Sequence, residues 1–104
     1  QLIKEEKYKP VYMHQTGHWL GMDVHDVGRF KVDGKWRLLQ PGMVMTIEPG
    51  LYIPHGMKGV AKKWQGIGIR IEDDLVVTEA GCEVLTSDAP KGVKEIEQWM
   101  EKSA

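Results

Sequence analysis

One histidine and two glutamates, His18, Glu48 and Glu72, stand in separate segments of the chain, each with glycine or proline close by. The segments read HQTGHWLGMDVHD at 14–26, PGMVMTIEPGLY at 41–52 and GIGIRIEDDLVVTEAG at 66–81. A mixed imidazole and carboxylate set suits Mn, Co, Fe or Zn, and such ions turn water into a hydrolytic nucleophile near neutral pH. The three side chains therefore indicate a metallohydrolase.

Each candidate also has an ordinary interpretation. A glutamate beside an apolar strand face is usually the solvated side of an amphipathic sheet, and Arg70 with Glu72 could form a surface ion pair worth less than about 1 kcal/mol. His14 and His18 would form a metal-binding pair only on a regular helix, which Gly17 opposes. The joint context favours the metal site, because glycine and proline fix turns and let backbones approach closely. Spacings of 30 residues from His18 to Glu48 and of 24 from Glu48 to Glu72 require that tertiary folding assembles the site.

Two stretches of alternating side chains are predicted to carry the glutamates. Residues 43–48 predict a strand whose one face bears Val44, Thr46 and Glu48. A turn at Pro49-Gly50 precedes a short strand over residues 51–53. A further strand is predicted from 66 to 77.

On that last strand Arg70 and Glu72 would project from the same side, about 7 Å apart at roughly 3.3 Å of rise per residue. Between the strands, residues 54–65 are predicted to form a polar loop in which His55 is exposed. Loops of this length are often functional.

The remaining elements follow from turn signals and helical periodicity. Asp33-Gly34 suits a type I′ turn and predicts a hairpin over residues 27–39. We expect the last turns of a longer helix at 1–7, a short strand at 82–86, and a terminal helix at 92–102 with Val93, Ile96 and Trp99 or Met100 on one face.

Composition narrows the class of protein. The 104 residues make at most one domain, and a net charge of −1 gives no basic stripe for nucleic acid. No apolar run approaches the roughly 18 residues of a membrane span. The single Cys82 excludes an internal disulfide, favours a reducing, cytoplasmic compartment, and is expected to be a small buried apolar residue. No signal peptide is recognisable, but Gln1 in place of an initiating Met looks like a cut end.

The strings HWLGMDVHDVG, LQPGMVMTIEPGLYIP and GIGIRIEDDLVVTEAGCEVLT extend the three motifs. The stretch from about 13 to 86 resembles the C-terminal part of the catalytic domain of Xaa-Pro aminopeptidases, the aminopeptidase P branch of the pita-bread metallopeptidases. The resemblance implies an α+β fold, with residues 1–104 as a single partial domain forming the C-terminal half of a pita-bread fold: a curved, mainly antiparallel sheet with a C-terminal helix. It also implies two divalent metal ions, Mn²⁺ first with Co²⁺ or Zn²⁺ as alternatives, and peptide substrates with proline in second position.

The same resemblance implies a role for each candidate residue. His18 looks like a ligand to one metal, Glu48 like a ligand that also shuttles protons, and Glu72 like the carboxylate that bridges both metals. His14 and His25 match histidines that hydrogen-bond the substrate.

Arg70 and Tyr52 match a pair that orients the metal-binding carboxylates. The family's other two metal ligands are aspartates, and no segment here corresponds to them. Two divalent cations bring four positive charges against two negative ones from the glutamates, so further carboxylates are needed. We therefore expect a fragment that binds Mn²⁺ weakly and hydrolyses no Xaa-Pro peptide at a useful rate. An uncovered strand edge and apolar face also predict self-association into a homo-oligomer.

Three alternatives remain. Prolidase shares the His, Glu and Glu ligands of the same fold, although the run from HDVG to LQPGM fits aminopeptidase P better. Methionine aminopeptidase has a related TIEP segment but a different last-ligand string. A pita-bread domain can also serve as a non-catalytic interaction module.

Overall fold

The structure is a computed structural model that describes residues 4–102. Within them the chain forms seven β-strands, two single-turn 3-10 helices and one α-helix. The strands are β1 (Lys31–Val32), β2 (Lys35–Trp36), β3 (Val44–Ile47), β4 (Gly50–Ile53), β5 (Ile67–Arg70), β6 (Asp73–Thr78) and β7 (Gly81–Val84). The 3-10 helices are Lys9–Val11 and Lys62–Trp64, and the α-helix, α1, is Val93–Glu101.

All strand pairs are antiparallel and fall into three small sheets. β1 pairs with β2, β4 pairs with β5, and the third sheet has the order β3-β6-β7. Consecutive strands therefore belong to different sheets at three places: between β2 and β3, between β3 and β4, and between β5 and β6. Proline has no N–H to donate to a ladder, so Pro49 ends the pairing of β3 and lets the chain change direction.

The single strand predicted over residues 66–77 is wrong. The alternation continues through the sequence, but the pairing partner changes: β5 lies against β4, whereas β6 lies against β3 and pairs Asp73 with Ile47. At the junction the Ile71 amide donates to the carbonyl of Pro49 at 3.2 Å. Arg70 thus ends one strand, and Glu72 lies in the short link before the next.

Residues 16–20 run antiparallel along β3 without forming a named strand of their own. The amides of Thr46 and Glu48 donate to the carbonyls of His18 and Thr16 at 2.9 and 2.6 Å, and Trp19 forms an isolated bridge with Met45. This alignment places the histidine segment directly beside the strand that leads to the first glutamate.

The hairpin at Asp33-Gly34 is confirmed. Its two central residues have φ values of 49° and 76°, the doubly positive φ that a type I′ turn requires. The predicted polar loop over 54–65 is also present, with His55 exposed. Gln65 orders it, since its side chain accepts from the Gly56 amide at 2.7 Å and donates to the carbonyls of Met57 and Val60 at 3.1 and 2.9 Å.

Burial is concentrated in the three-stranded sheet. Leu75 and Val77 of β6 are buried, and so are two polar side chains: Thr46 on the neighbouring β3 and Glu48, which directly follows β3. The helix predicted at 92–102 is confirmed as α1, but its apolar face is exposed, from 39% for Ile96 to 73% for Val93. Within residues 4–102, every helix is too short or too polar to cross a membrane.

Two local predictions are wrong. Of the helix expected at 1–7, residues 1–3 lie outside the described part, and residues 4–8 form turns in which Glu6 has a φ of 53°, incompatible with a right-handed helix. Cys82 is exposed, not buried. It lies on β7, the edge strand of its sheet, whose residues are all exposed. The strand predicted at 82–86 begins one residue earlier and ends two residues sooner.

Candidate metal centre

Three parts of the fold converge on one point. His18 comes from the segment beside β3, Glu48 directly follows β3, and Glu72 lies in the link between β5 and β6. One ligand atom from each lies within 4.8 Å of those of the other two. Among residues 4–102 this is the one group of three or more His, Cys, Asp or Glu side chains so arranged. The structure thus brings together the set that the sequence predicted.

Glu48 is the buried member of the group, with only 6% of its surface exposed. Its Oε1 lies 3.1 Å from His18 Nε2 and accepts a hydrogen bond from the Thr46 hydroxyl at 3.3 Å. Its Oε2 lies 3.3 Å from Nη1 of Arg70. A buried carboxylate is tolerated only when it is paired and hydrogen-bonded, and both oxygens meet that condition.

The hydrogen bond of the His18 ring determines which nitrogen faces the site. Nδ1 lies 3.0 Å from the carbonyl oxygen of Trp19, which can only accept, so Nδ1 carries the proton. In the neutral ring, Nε2 then turns a lone pair toward the Glu48 carboxylate. Two electron-rich atoms this close need a cation or a proton between them, and a backbone carbonyl on the other nitrogen is the usual support of a metal-binding histidine.

Arg70 reaches the same carboxylate from β5. Its Nε donates to the phenolic oxygen of Tyr52 at 2.8 Å. That hydrogen bond is the main cause that raises the pKa of Arg70 above its ordinary value, with smaller contributions from the charges of Glu48 and Glu72 and a partial offset from desolvation. Arg70 is therefore a permanent cation beside the site, and the predicted orienting pair is in contact.

Two further histidines line a cavity of about 240 Å³ next to this cluster. The His25 ring lies edge-on to that of His18, with centroids 4.5 Å apart. His14 is held between Tyr12, stacked at 5.8 Å, and Tyr52, edge-on at 5.4 Å. Its Nε2 is buried and has no hydrogen-bond partner within residues 4–102.

Glycines let these parts approach one another. A Cβ on Gly17 would lie 2.0 Å from the main-chain oxygen of Thr46, so only glycine lets the histidine segment lie this close to β3. A Cβ on Gly50 would lie 2.7 Å from the Tyr52 hydroxyl and 2.9 Å from His14 Nε2. The sequence marked these glycines as turn or contact positions, but it could not tell which backbone or side chain would lie against them.

Sequence reasoning gave no role to Thr46 or Tyr12. The alternation of residues 43–48 was the available signal for Thr46, because it placed the threonine on the same face as Glu48. Nothing in the sequence pairs Tyr12 with His14.

The donor set fits a transition-metal ion. The 3.1 Å between His18 Nε2 and Glu48 Oε1 is the spacing of two adjacent ligand atoms that each lie about 2.1 Å from one ion. Two glutamates and one arginine leave a net charge of −1 at this point, short of what one divalent cation needs. A neutral site would therefore need at least one further negative charge beside the ion.

Known proteins are similar to this chain in sequence and in fold. The profile of metallopeptidase family M24 matches residues 1–79. The Xaa-Pro aminopeptidase of Escherichia coli strain K12 is 51% identical over 100 residues, covering 96% of this chain and 22% of that protein. The structure of Pseudomonas aeruginosa aminopeptidase PepP has 63% sequence identity and a TM-score of 0.90, covering 99% of this chain and 24% of that one. Zn-substituted E. coli aminopeptidase P in complex with product has 50% identity and a TM-score of 0.88, covering 99% and 23%.

The chain therefore belongs to metallopeptidase family M24. It spans between 22% and 24% of the length of these relatives. The predicted fold class, the C-terminal part of a mainly antiparallel α+β pita-bread fold, is confirmed by the match to aminopeptidase P structures.

Proposed function

We propose that this chain supplies the C-terminal part of the active site of an Xaa-Pro aminopeptidase, which removes the first residue from peptides that have proline in second position. The observation that carries the proposal is the cluster of His18, Glu48 and Glu72 with Arg70 against its buried carboxylate. Relatives named Xaa-Pro aminopeptidase, about half of whose residues are identical over this stretch, support the substrate class.

In this proposal His18, Glu48 and Glu72 are the residues of this chain that would hold the divalent metal, with Glu72 shared between two ions if two are bound. When bound, the ions would polarise the scissile carbonyl and provide a nucleophilic water near neutral pH. We propose Mn²⁺ as the native metal; the Zn-substituted E. coli relative indicates that such a site accepts other divalent ions. Glu48 would take a proton from the attacking water and return it to the leaving amine, while Arg70 holds its other oxygen in place.

His14 and His25 bind the substrate in this proposal. Both line the cavity beside the cluster, where a peptide would lie. Arg70 and Tyr52 hold the Glu48 carboxylate in one orientation, since their mutual hydrogen bond fixes the guanidinium.

The best test is a chimera in which this chain replaces the matching segment of the P. aeruginosa aminopeptidase, where identity is 63% over 99% of the chain. We expect the Mn²⁺-loaded chimera to hydrolyse Xaa-Pro-Yaa tripeptides, and a matched chimera carrying His18→Ala to be inactive. A chimera that has the parent's circular dichroism spectrum and binds Mn²⁺ but leaves such peptides intact would refute the proposal. Xaa-Pro dipeptides in the same assay separate it from the prolidase alternative, which predicts the dipeptide as the better substrate.

Used alone, the chain is proposed to bind Mn²⁺ weakly and to be inactive, because the two glutamates lack the charge to hold two divalent cations. We also propose a cytoplasmic location, compatible with the single exposed thiol. Turnover of an Xaa-Pro peptide by the pure chain would contradict its inactivity.

Self-association is proposed for the isolated chain, since an apolar groove of about 500 Å³ on the β4-β5 sheet lies open. Leu51, Ile67 and Ile69, which line it, are exposed. A monomeric mass in sedimentation at micromolar concentration would count against this.

A further inference from the structure

Thr46 is hydrogen-bonded to two of the three candidate ligands, His18 and Glu48. It is 1% exposed, stands two positions before Glu48 on β3, and lies directly opposite His18, to whose carbonyl its amide donates at 2.9 Å. Its methyl and hydroxyl groups are thus fully enclosed at the base of the site.

The hydroxyl of Thr46 takes the place of a main-chain acceptor. Directly opposed residues in an antiparallel ladder can exchange two backbone hydrogen bonds. Here the second of these hydrogen bonds is different: the His18 amide donates to the Thr46 side-chain oxygen Oγ1 at 3.0 Å, not to the Thr46 carbonyl. The hydroxyl proton goes to Glu48 Oε1 at 3.3 Å. One proton and two lone pairs allow a hydroxyl to make both bonds at once.

We infer that Thr46 is a positioning residue that sets the separation of His18 Nε2 and Glu48 Oε1, and through it the metal affinity of the site. The inference rests on the proposed function. One hydroxyl joins the backbone of the first ligand to the carboxylate oxygen of the second, and that same oxygen lies 3.1 Å from the imidazole. Groups that orient metal ligands in this way typically change metal affinity or activity by about 10- to 100-fold when they are removed.

If Thr46 only filled space, the two substitutions below would have the opposite effects to those expected for a positioning residue. Thr46→Val keeps the volume and the branched Cβ but removes both hydrogen bonds, so a filler role predicts little effect. Thr46→Ser keeps the hydroxyl and loses the methyl group, so a filler role predicts the larger defect there. The two substitutions therefore separate the roles.

The test uses a complete catalytic domain, namely the chimera, stripped of metal and titrated with Co²⁺ by calorimetry and by its d–d absorption. We expect T46V to weaken Co²⁺ binding roughly 10- to 100-fold, to alter the absorption band, and to lower kcat more than it raises KM. T46S should resemble the unsubstituted chimera in all three. Thr78→Val, the same exchange at the far end of β6, is the matched control and should change none of them.

Wild-type Co²⁺ affinity and spectrum in T46V would overturn the inference and leave the proposed function standing. If the unsubstituted chimera neither binds Co²⁺ nor cleaves Xaa-Pro peptides, the proposed function itself fails. Should T46V not fold, T46A and T46S provide the comparison, because they differ only by the hydroxyl. Equal Co²⁺ affinities in that pair would also overturn the inference.

Discussion

The Nε2 atom of His18 lies 3.1 Å from Oε1 of Glu48, although the two residues are 30 positions apart in the sequence. The contact depends on residues 16–20 running along β3, which in turn depends on the missing side chain of Gly17. The distance between these two side chains is therefore set by how closely their backbones pack, and not only by the side chains themselves.

Replacing Gly17 by alanine should separate the histidine segment from β3. The new Cβ would meet a backbone oxygen at 2.0 Å, and overpacking against a rigid neighbour costs about 1–3 kcal/mol of unfolding free energy. Urea denaturation of the chimera would measure it. Gly92→Ala is the comparison: its new Cβ meets only the flexible end of Glu95, so the change weakens the N-cap of α1 without forcing two backbones apart. A loss of stability in Gly17→Ala no larger than that in Gly92→Ala would contradict the prediction.

Glu48→Gln should lower kcat in the chimera by about 10²- to 10⁴-fold, the usual range for loss of a general acid–base group. The amide keeps the shape but cannot accept and return the proton. Steady-state kinetics on an Xaa-Pro-Yaa peptide would show it. The predicted role is wrong if kcat stays within a factor of a few of the unsubstituted chimera.

Tyr52→Phe should weaken metal binding by roughly 10-fold, because Arg70 loses the acceptor that holds its guanidinium against Glu48. Calorimetric titration with Mn²⁺ measures the change. Tyr8→Phe removes a phenolic hydroxyl from the turns of residues 4–8 and is the control. An equally large loss of Mn²⁺ affinity in that variant would show that the effect of Tyr52→Phe does not depend on Arg70.

Lys91→Met should destabilise the chimera at neutral pH and much less in acid. Lys91 pairs with Asp73 at 2.9 Å, and Thr86 donates to the same carboxylate oxygen. These hydrogen bonds lower the pKa of Asp73. The ionised Asp73 carboxylate therefore stabilises the fold above the pKa that it has in the unfolded chain, near 3.9. This stabilisation is lost as pH falls through the lower pKa that Asp73 has in the folded protein. Urea denaturation at neutral pH and near pH 2, with Lys94→Met as control, would test it; a pH-independent difference would contradict it.

The sequence predicted what depends on local pattern and missed what depends on long-range packing. Alternation located β3 and put Thr46 on the face of Glu48, and Asp33-Gly34 specified its turn. The same alternation could not reveal that Arg70 ends β5 whereas Glu72 lies in the link to β6. The period-two pattern continues through the point where the paired strand changes from β4 to β3. Burial of Cys82 was predicted from residue type, whereas its exposure follows from an edge position that only the sheet order defines.

That exposed thiol has a practical consequence. Cys82 is the sole cysteine of the chain and faces outward from β7, while the candidate metal cluster lies across the sheet beside β3. A maleimide dye or nitroxide coupled there would mark one defined position on the protein. With paramagnetic Mn²⁺ or Co²⁺ as the second centre, such a label would report the distance to the bound metal in solution.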